Sequence, residues 1–145
     1  MLSHHFAIRL GVALLLGAII GAERQWRQPM AGLRTNALVA AGAAMFVMLS
    51  ALVAGPDDGF RIAGQGESGI GFLGAGVILR NGLSITGLNT AATLWCSAAV
   101  GTLAGYGMYG SATIGAIAAL GANVGLRPIA KVLNLGNGAA EEEVT

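Results

Sequence analysis

Charged residues are scarce in this sequence. They make up 10% of its 145 residues, whereas soluble proteins average roughly 25%. Eight Lys and Arg residues against seven Asp and Glu give a formal net charge of +1, which leaves no basic face to neutralise the phosphates of a nucleic acid. Hydrophobic residues reach 54%, and the mean hydropathy is +0.69. The composition therefore indicates a membrane protein whose first partner is the lipid bilayer.

Cysteine is nearly absent as well. Cys96 is the one cysteine in the sequence, so an internal disulfide and a zinc site built from several thiolates are both excluded. His4 and His5 are adjacent rather than spaced as ligands on a helix, and no serine, histidine and acid are spaced as a catalytic triad. We expect no enzymatic activity and no cofactor, and Mg²⁺ stays open as a bound ion.

The uncharged runs predict about five transmembrane helices, because each helix needs roughly 20 mostly apolar residues to cross a bilayer. Residues 6–22, with a single charge near the start, and residues 35–56 form the first two runs. The third run, residues 68–79, becomes long enough only if residues 62–67 are included. Residues 81–126 carry no charge and suffice for two spans. The predicted fold class is an all-α membrane protein, a polytopic bundle.

The positive charges predict the orientation of this bundle, because Lys and Arg in short loops stay on the cytoplasmic side. In a five-span arrangement one side collects six of the eight cations: Arg24, Arg27, Arg34, Arg80, Arg127 and Lys131. The N-terminus is therefore predicted outside and the C-terminus in the cytoplasm. We expect one transmembrane domain over residues 1–135 and an acidic, disordered tail over residues 136–145.

Two parts of the sequence resemble each other. A shift of 55 residues aligns the G-L-x-T motif that begins at Gly32 with the one that begins at Gly87, and a nearly equal shift aligns residues 16–18 with residues 73–75. This similarity predicts a parallel internal repeat around an axis along the membrane normal. Chance similarity between glycine-rich helices is the alternative.

Glycines at G-x-x-x-G spacing predict close helix packing, since a missing side chain lets a neighbouring backbone approach. The candidate packing positions are Gly17, Gly21, Gly71, Gly74, Gly76, Gly101 and Gly105. Packing within one subunit and packing between subunits of a homo-oligomer, with a dimer favoured, are both consistent with this spacing. A glycine-lined ion path is a further alternative.

Polar residues in the fourth predicted helix form a candidate binding stripe. Asn89, Thr93 and Cys96 stand at positions i, i+4 and i+7, which lie on one helix face. The stripe could bind a partner helix or an ion. Asn89 alone also fits the helix N-cap, because Asn is favoured there.

Acidic residues and a charged loop provide the other candidates. Glu67 either lies in hydrocarbon, where an ionisable group is costly enough to be functional, or belongs to the outer loop. Asp57 and Asp58 belong to the predicted outer side. Glu23 and Arg34 belong to a charged loop around a tryptophan, which could bind a partner or serve as a solvated interfacial anchor.

Three long stretches closely resemble the MgtC/SapB family of bacterial inner-membrane proteins. They are GAERQWRQPMAGLRTNALVAAGAA over residues 21–44, SGIGFLGAGVILR over residues 68–80 and GLNTAATLWCSAAVG over residues 87–101. The resemblance extends from about Leu10 to Lys131. It implies a multi-pass inner-membrane protein linked to growth in low magnesium, to survival of pathogens in macrophages and to inhibition of the F-type ATP synthase.

The resemblance also implies functional roles for Asn89 and Cys96, which match a sensitive asparagine and cysteine of the family. Three positions depart from the family pattern: Gly66 and Glu67 replace apolar residues, and Asn81 replaces an acid. Family members continue into a soluble ferredoxin-like domain, whereas this sequence ends at its acidic segment. The resemblance is therefore to the transmembrane domain.

Two functions remain open from the sequence. The first is an MgtC-like protein that supports magnesium homeostasis and growth or virulence in low magnesium by modulating another membrane complex, such as the F-type ATP synthase. The alternative is a channel or transporter for Mg²⁺ or another cation, formed by a homo-oligomer. In that case Asp57, Asp58 and Glu67 would form an acidic outer entrance, and the stripe on the fourth helix would form the inner wall.

Overall fold

The computed structural model describes residues 2–27, 31–53, 59–81 and 84–142, which form five α-helices and one short β-hairpin. In chain order the elements are α1 (Leu2–Arg27), α2 (Leu33–Val53), α3 (Gly59–Val77), β1 (Leu79–Asn81), β2 (Ser84–Thr86), α4 (Leu88–Gly105) and α5 (Tyr109–Glu142). The predicted all-α bundle of about five helices is confirmed. The hairpin between α3 and α4 was not predicted.

Three helices in the described part of the chain are long and apolar enough to cross a membrane, over Ser3–Trp26, Leu33–Val53 and Tyr109–Ile129. The third predicted span contains a shorter apolar helical stretch, Ser68–Val77. Helix α4 has 18 residues, and its buried residues include Thr90, Thr93 and Ser97. It contacts each of the other four helices and thus occupies the centre of the bundle.

The hairpin leads directly into α4. Strands β1 and β2 pair antiparallel, with Leu79 opposite Thr86 and Asn81 opposite Ser84. Gly87 follows in the left-handed region with φ of 90° and occupies the N-cap position, without a side-chain hydrogen bond to the helix. The prediction that Asn89 caps α4 is therefore wrong, because the helix begins one residue before it.

The two G-L-x-T motifs occupy equivalent structural positions. Helix α2 begins at Leu33 and α4 begins at Leu88, in each case directly after the motif's glycine. The carbonyl of Gly32 accepts a hydrogen bond of 3.2 Å from the Asn36 amide, and the carbonyl of Gly87 accepts one of 2.9 Å from the Ala91 amide. Two helices thus start in the same way at the spacing of the predicted repeat.

Helices α1 and α4 both approach α2 at Ala40. A Cβ atom placed on Gly17 of α1 would lie 2.7 Å from the Ala40 Cβ, and one placed on Gly101 of α4 would lie 2.7 Å from the Ala40 Cα. Both distances are shorter than real carbon contacts, so only glycine fits at these two positions. Alanine-rich packing surrounds the crossing, since Ala40 and Ala44 are fully buried.

The second member of each G-x-x-x-G pair also faces α2. A Cβ on Gly21 would lie 2.6 Å from the Leu33 Cα, and a Cβ on Gly105 would lie 2.9 Å from the Ala44 Cα. The glycines of α3 differ from these pairs. A Cβ on Gly74 would make an ordinary contact of 3.7 Å with Ala91, and nothing lies within 4 Å of a Cβ on Gly71 or Gly76. Close packing at those two positions is not found within the subunit.

Arg9 ties the start of α1 to the end of α4. Its Nη1 donates a hydrogen bond of 3.0 Å to the carbonyl oxygen of Gly105, the last residue of α4. A cation beside the last carbonyl groups of a helix is favourable, because that end carries partial negative charge. Arg9 therefore serves the packing of the bundle at this end.

Helix α5 is longer than the sequence indicated. It continues through Glu142 with Pro128 inside it, whereas a disordered tail was expected over residues 136–145. Alanine and glutamate at positions 139–142 favour the helix, whereas Gly136 and Gly138 do not. Residues 143–145 lie outside the described part of the chain.

We predict that Gly101→Ala destabilises the bundle by about 2 kcal/mol, because overpacking a tight site costs roughly 1–3 kcal/mol. The matched control is Gly42→Ala on α2, where an added Cβ meets no atom within 4 Å. This control should be neutral or slightly stabilising, since alanine is the better helix former. Thermal unfolding in detergent measures both variants, and equal midpoints would contradict the prediction.

Candidate functional site

One face of α4 presents three buried hydroxyl groups. Thr90, Thr93 and Ser97 are at most 3% exposed and occur at positions i, i+3 and i+7 of the helix. Hydroxyl groups buried in a membrane bundle need hydrogen-bond partners, because lipid offers none. The partners come from α1, α2 and α5.

The α1 partner is Arg24. This residue is 7% exposed, and its Nη2 donates a hydrogen bond of 2.6 Å to Thr90 Oγ1. The charges of neighbouring Glu23 and of Arg127 on α5 also act on the Arg24 guanidinium. Arginine remains protonated in proteins, so Arg24 brings a guanidinium charge, with the Glu23 carboxylate beside it in the chain, to the start of α4.

The α2 partner is Asn36, which is completely buried. Its Oδ1 accepts a hydrogen bond of 2.8 Å from Ser97 Oγ. Its Nδ2 donates to the carbonyl oxygens of Ala31 at 2.9 Å and Gly32 at 3.0 Å. The Asn36 amide group thus joins α4 to the segment that precedes α2, and both of its polar atoms are satisfied.

The α5 partner is Asn123. Its amide group lies 3.3–3.4 Å from Thr93 Oγ1, and Thr93 also donates a hydrogen bond of 2.8 Å to the backbone carbonyl of Asn89. Hydrogen bonds from α4 therefore reach three other helices. We call the six side chains the polar cluster: Arg24, Asn36, Thr90, Thr93, Ser97 and Asn123.

The chemistry of the polar cluster is that of a positively charged hydrogen-bond network. It contains one guanidinium, three hydroxyls and two amides. The carboxylate of Glu23, which is partly buried, lies next to Arg24 in the chain and acts on its charge. Within the part of the chain that the structure describes, no group of three or more His, Cys, Asp or Glu side chains could hold a metal ion.

The predicted stripe on α4 is divided between two environments. Thr93 is buried in the polar cluster, whereas Asn89 and Cys96 are exposed. The buried polar face instead contains Thr90 and Ser97, each one residue after a predicted position. The structure therefore does not bring the three predicted residues together on one surface.

The remaining predicted residues are dispersed. Glu23 is partly buried near Arg24, and Arg34 is exposed in the first turn of α2. Glu67 lies within helix α3, although its side chain is outside the described part of the structure. Asp57 and Asp58 lie outside the described residues altogether. An acidic outer entrance is thus not assembled from the described groups.

Sequence reasoning missed five members of the polar cluster. The spacing of Thr90, Thr93 and Ser97 was a readable signal, because it matches one helix face. The sequence predicted a loop at Arg24, whereas in the structure α1 extends to Arg27 and Arg24 is buried. Asn36 carried no signal beyond being an amide at the start of an apolar run.

Comparison with known proteins supplies the family. The model of the MgtC family matches residues 10–132. The chain belongs to the MgtC family. Protein MgtC of Salmonella typhi is 57% identical over 143 residues, which cover 99% of this chain and 62% of the relative. Protein MgtC of Brucella abortus is 54% identical over 129 residues, covering 89% of this chain and 54% of the relative.

The similarity extends to an uncharacterized protein of Synechocystis, which is 58% identical over 127 residues, or 88% of this chain and 54% of that protein. The chain therefore spans between half and two thirds of the length of the curated relatives it matches. No solved structure matches it. The MgtC-family match includes every residue of the polar cluster.

We predict that Asn36→Ala destabilises the protein by about 2–3 kcal/mol, because it removes three hydrogen bonds and leaves buried groups without partners. Asn89→Ala is the matched control, because this asparagine is exposed and caps no helix. Its effect should stay within about 0.5 kcal/mol. Unfolding midpoints in detergent report both changes, and a larger loss for Asn89→Ala would refute the assignment of Asn36 as the structural amide.

Proposed function

We propose that this MgtC-family chain supports magnesium homeostasis, and growth or virulence in low magnesium, by modulating another membrane complex rather than by conducting the ion. The F-type ATP synthase is the candidate complex, which the family resemblance suggests. In this proposal the polar cluster holds the bundle together, and exposed residues such as Asn89 make the contact with the partner.

The observation that carries this choice is the composition of the polar cluster. Mg²⁺ keeps much of its hydration shell and is bound in proteins through carboxylates, whereas the polar cluster supplies a guanidinium, hydroxyls and amides that are hydrogen-bonded to one another. The carboxylate of the adjacent Glu23 acts on the Arg24 guanidinium. This composition favours a binding function over a cation path.

The proposed location is the bacterial inner membrane, with the N-terminus outside and the C-terminus in the cytoplasm. Six of the eight cations support it, because a five-helix arrangement brings them to one side. Thr90 and Arg24 belong to the same end of the bundle as these charges. The polar cluster then lies in the cytoplasmic half of the membrane.

The first test replaces the exposed asparagine. We predict that Asn89→Ala remains folded but loses support of growth at low magnesium in a bacterium that lacks its own MgtC-family protein. It should also lose copurification of ATP synthase subunits in mild detergent. Ser111→Ala, an exposed polar residue at the opposite end of the bundle, is the control and should behave as the parent. Unchanged growth and copurification in Asn89→Ala would refute the proposed contact.

The second test measures transport directly. We predict that purified protein in liposomes gives no Mg²⁺ influx above that of empty liposomes, because the polar cluster offers the ion no carboxylate ligand. Influx above this baseline that falls in Glu67→Gln would contradict the proposal and assign a cation path.

The third test addresses the orientation. A reporter that is active only in the cytoplasm should be active when fused after Thr145. Activity of a periplasm-specific reporter at the same position would invert the proposed topology.

A further inference from the structure

An open groove lies between α2 and α3, outside the polar cluster. Its volume is about 700 Å³. Arg34 and Thr35 stand at one end, and the walls toward the other end are almost entirely apolar, with Leu38 and Phe46 from α2 and Leu73 from α3. The α2–α3 groove therefore has one charged end and one apolar end, as a lipid does.

Two glycines give the groove its depth. Gly42 of α2 and Gly69 of α3 both line it. A Cβ placed on either would meet no atom within 4 Å, unlike the glycines at the α1–α2 and α2–α4 crossings. These two glycines keep space open rather than allowing two helices to touch.

The length of the groove matches one leaflet of a bilayer. Arg34 and Phe46 are 12 residues apart on α2, which corresponds to about 18 Å along the helix. One leaflet contributes about 15 Å to the hydrocarbon core. With Arg34 at the headgroup level, the apolar part of the groove reaches just past the membrane midplane.

The lining of the groove suits an acyl chain. Beyond Arg34 and Thr35 its walls consist of apolar side chains and glycines. An acyl chain needs no polar partner along its length, because it is as apolar as these walls.

The charge at the mouth selects the headgroup. Arg34 is exposed and lies in the first turn of α2, where the helix dipole also favours a negative group. Basic pockets between transmembrane helices bind anionic lipid headgroups in this way. We propose that the α2–α3 groove binds one anionic glycerophospholipid, with its phosphate group at Arg34 and one acyl chain between α2 and α3.

The experiment is native mass spectrometry of the delipidated protein, titrated with phosphatidylglycerol or with phosphatidylcholine. The parent should retain one phosphatidylglycerol with about fivefold higher affinity than phosphatidylcholine, as expected for one cation near the headgroup. Arg34→Gln should lower this preference to about one. Gly42→Leu should weaken binding of both lipids at least tenfold, because the new side chain occupies the groove.

Two variants on α5 serve as matched controls. Arg127→Gln removes another exposed cation, and Gly121→Leu fills another open glycine position. Both should bind as the parent does. Thermal unfolding checks that Gly42→Leu is folded, and Gly69→Leu replaces it if it is not.

Three results would overturn the proposal. The parent could bind the two lipids equally, or Arg127→Gln could abolish the preference as completely as Arg34→Gln does. The parent could also form a lipid-free dimer that Gly42→Leu converts to monomers, which would assign the groove to a second copy.

Discussion

The close approach of three helices at Ala40 is the constraint on which the bundle depends. Lipid tails are as apolar as leucine, so burying apolar surface between two helices in a membrane adds little free energy of association. Van der Waals contact between the helices must provide that free energy instead. Gly17 and Gly101 permit that contact by letting α1 and α4 both approach α2 closely at Ala40. The hydrogen bond from Ser97 to Asn36 follows, since short side chains can meet only when the two backbones are close.

The two halves of the predicted repeat pack with different tightness. A Cβ on Gly17 would lie 2.7 Å from the Ala40 Cβ, whereas a Cβ on Gly74, which aligns with Gly17, would lie 3.7 Å from the Ala91 Cβ. Ala91 corresponds in turn to Asn36, which supplies a buried amide to the first half. The second half has no such amide at that position and packs less tightly. The α2–α3 groove lies where the tight first half meets the looser second half.

Much of this fold could be predicted from local properties of the sequence. The lengths of the uncharged runs predicted the helices, and the G-x-x-x-G spacing predicted close packing at Gly17 and Gly101. Both signals lie within single segments of the sequence. The polar cluster could not be predicted in the same way. A shift of one residue turns a helical position by about 100°, so choosing Cys96 rather than Ser97 moved the expected stripe away from its true partners. Nothing local identifies Asn36 as the acceptor for Ser97, which is 61 residues away.

The polar face of α4 has a consequence for how the protein is made. Helices α1 and α2 are each long and apolar enough to cross a membrane, and they precede α4 in the chain. The interhelical hydrogen-bond partners of Thr90 and Ser97 are Arg24 and Asn36, which belong to those earlier helices. These partners therefore exist before α4 is synthesised, so both hydrogen bonds can form as soon as α4 enters the bundle.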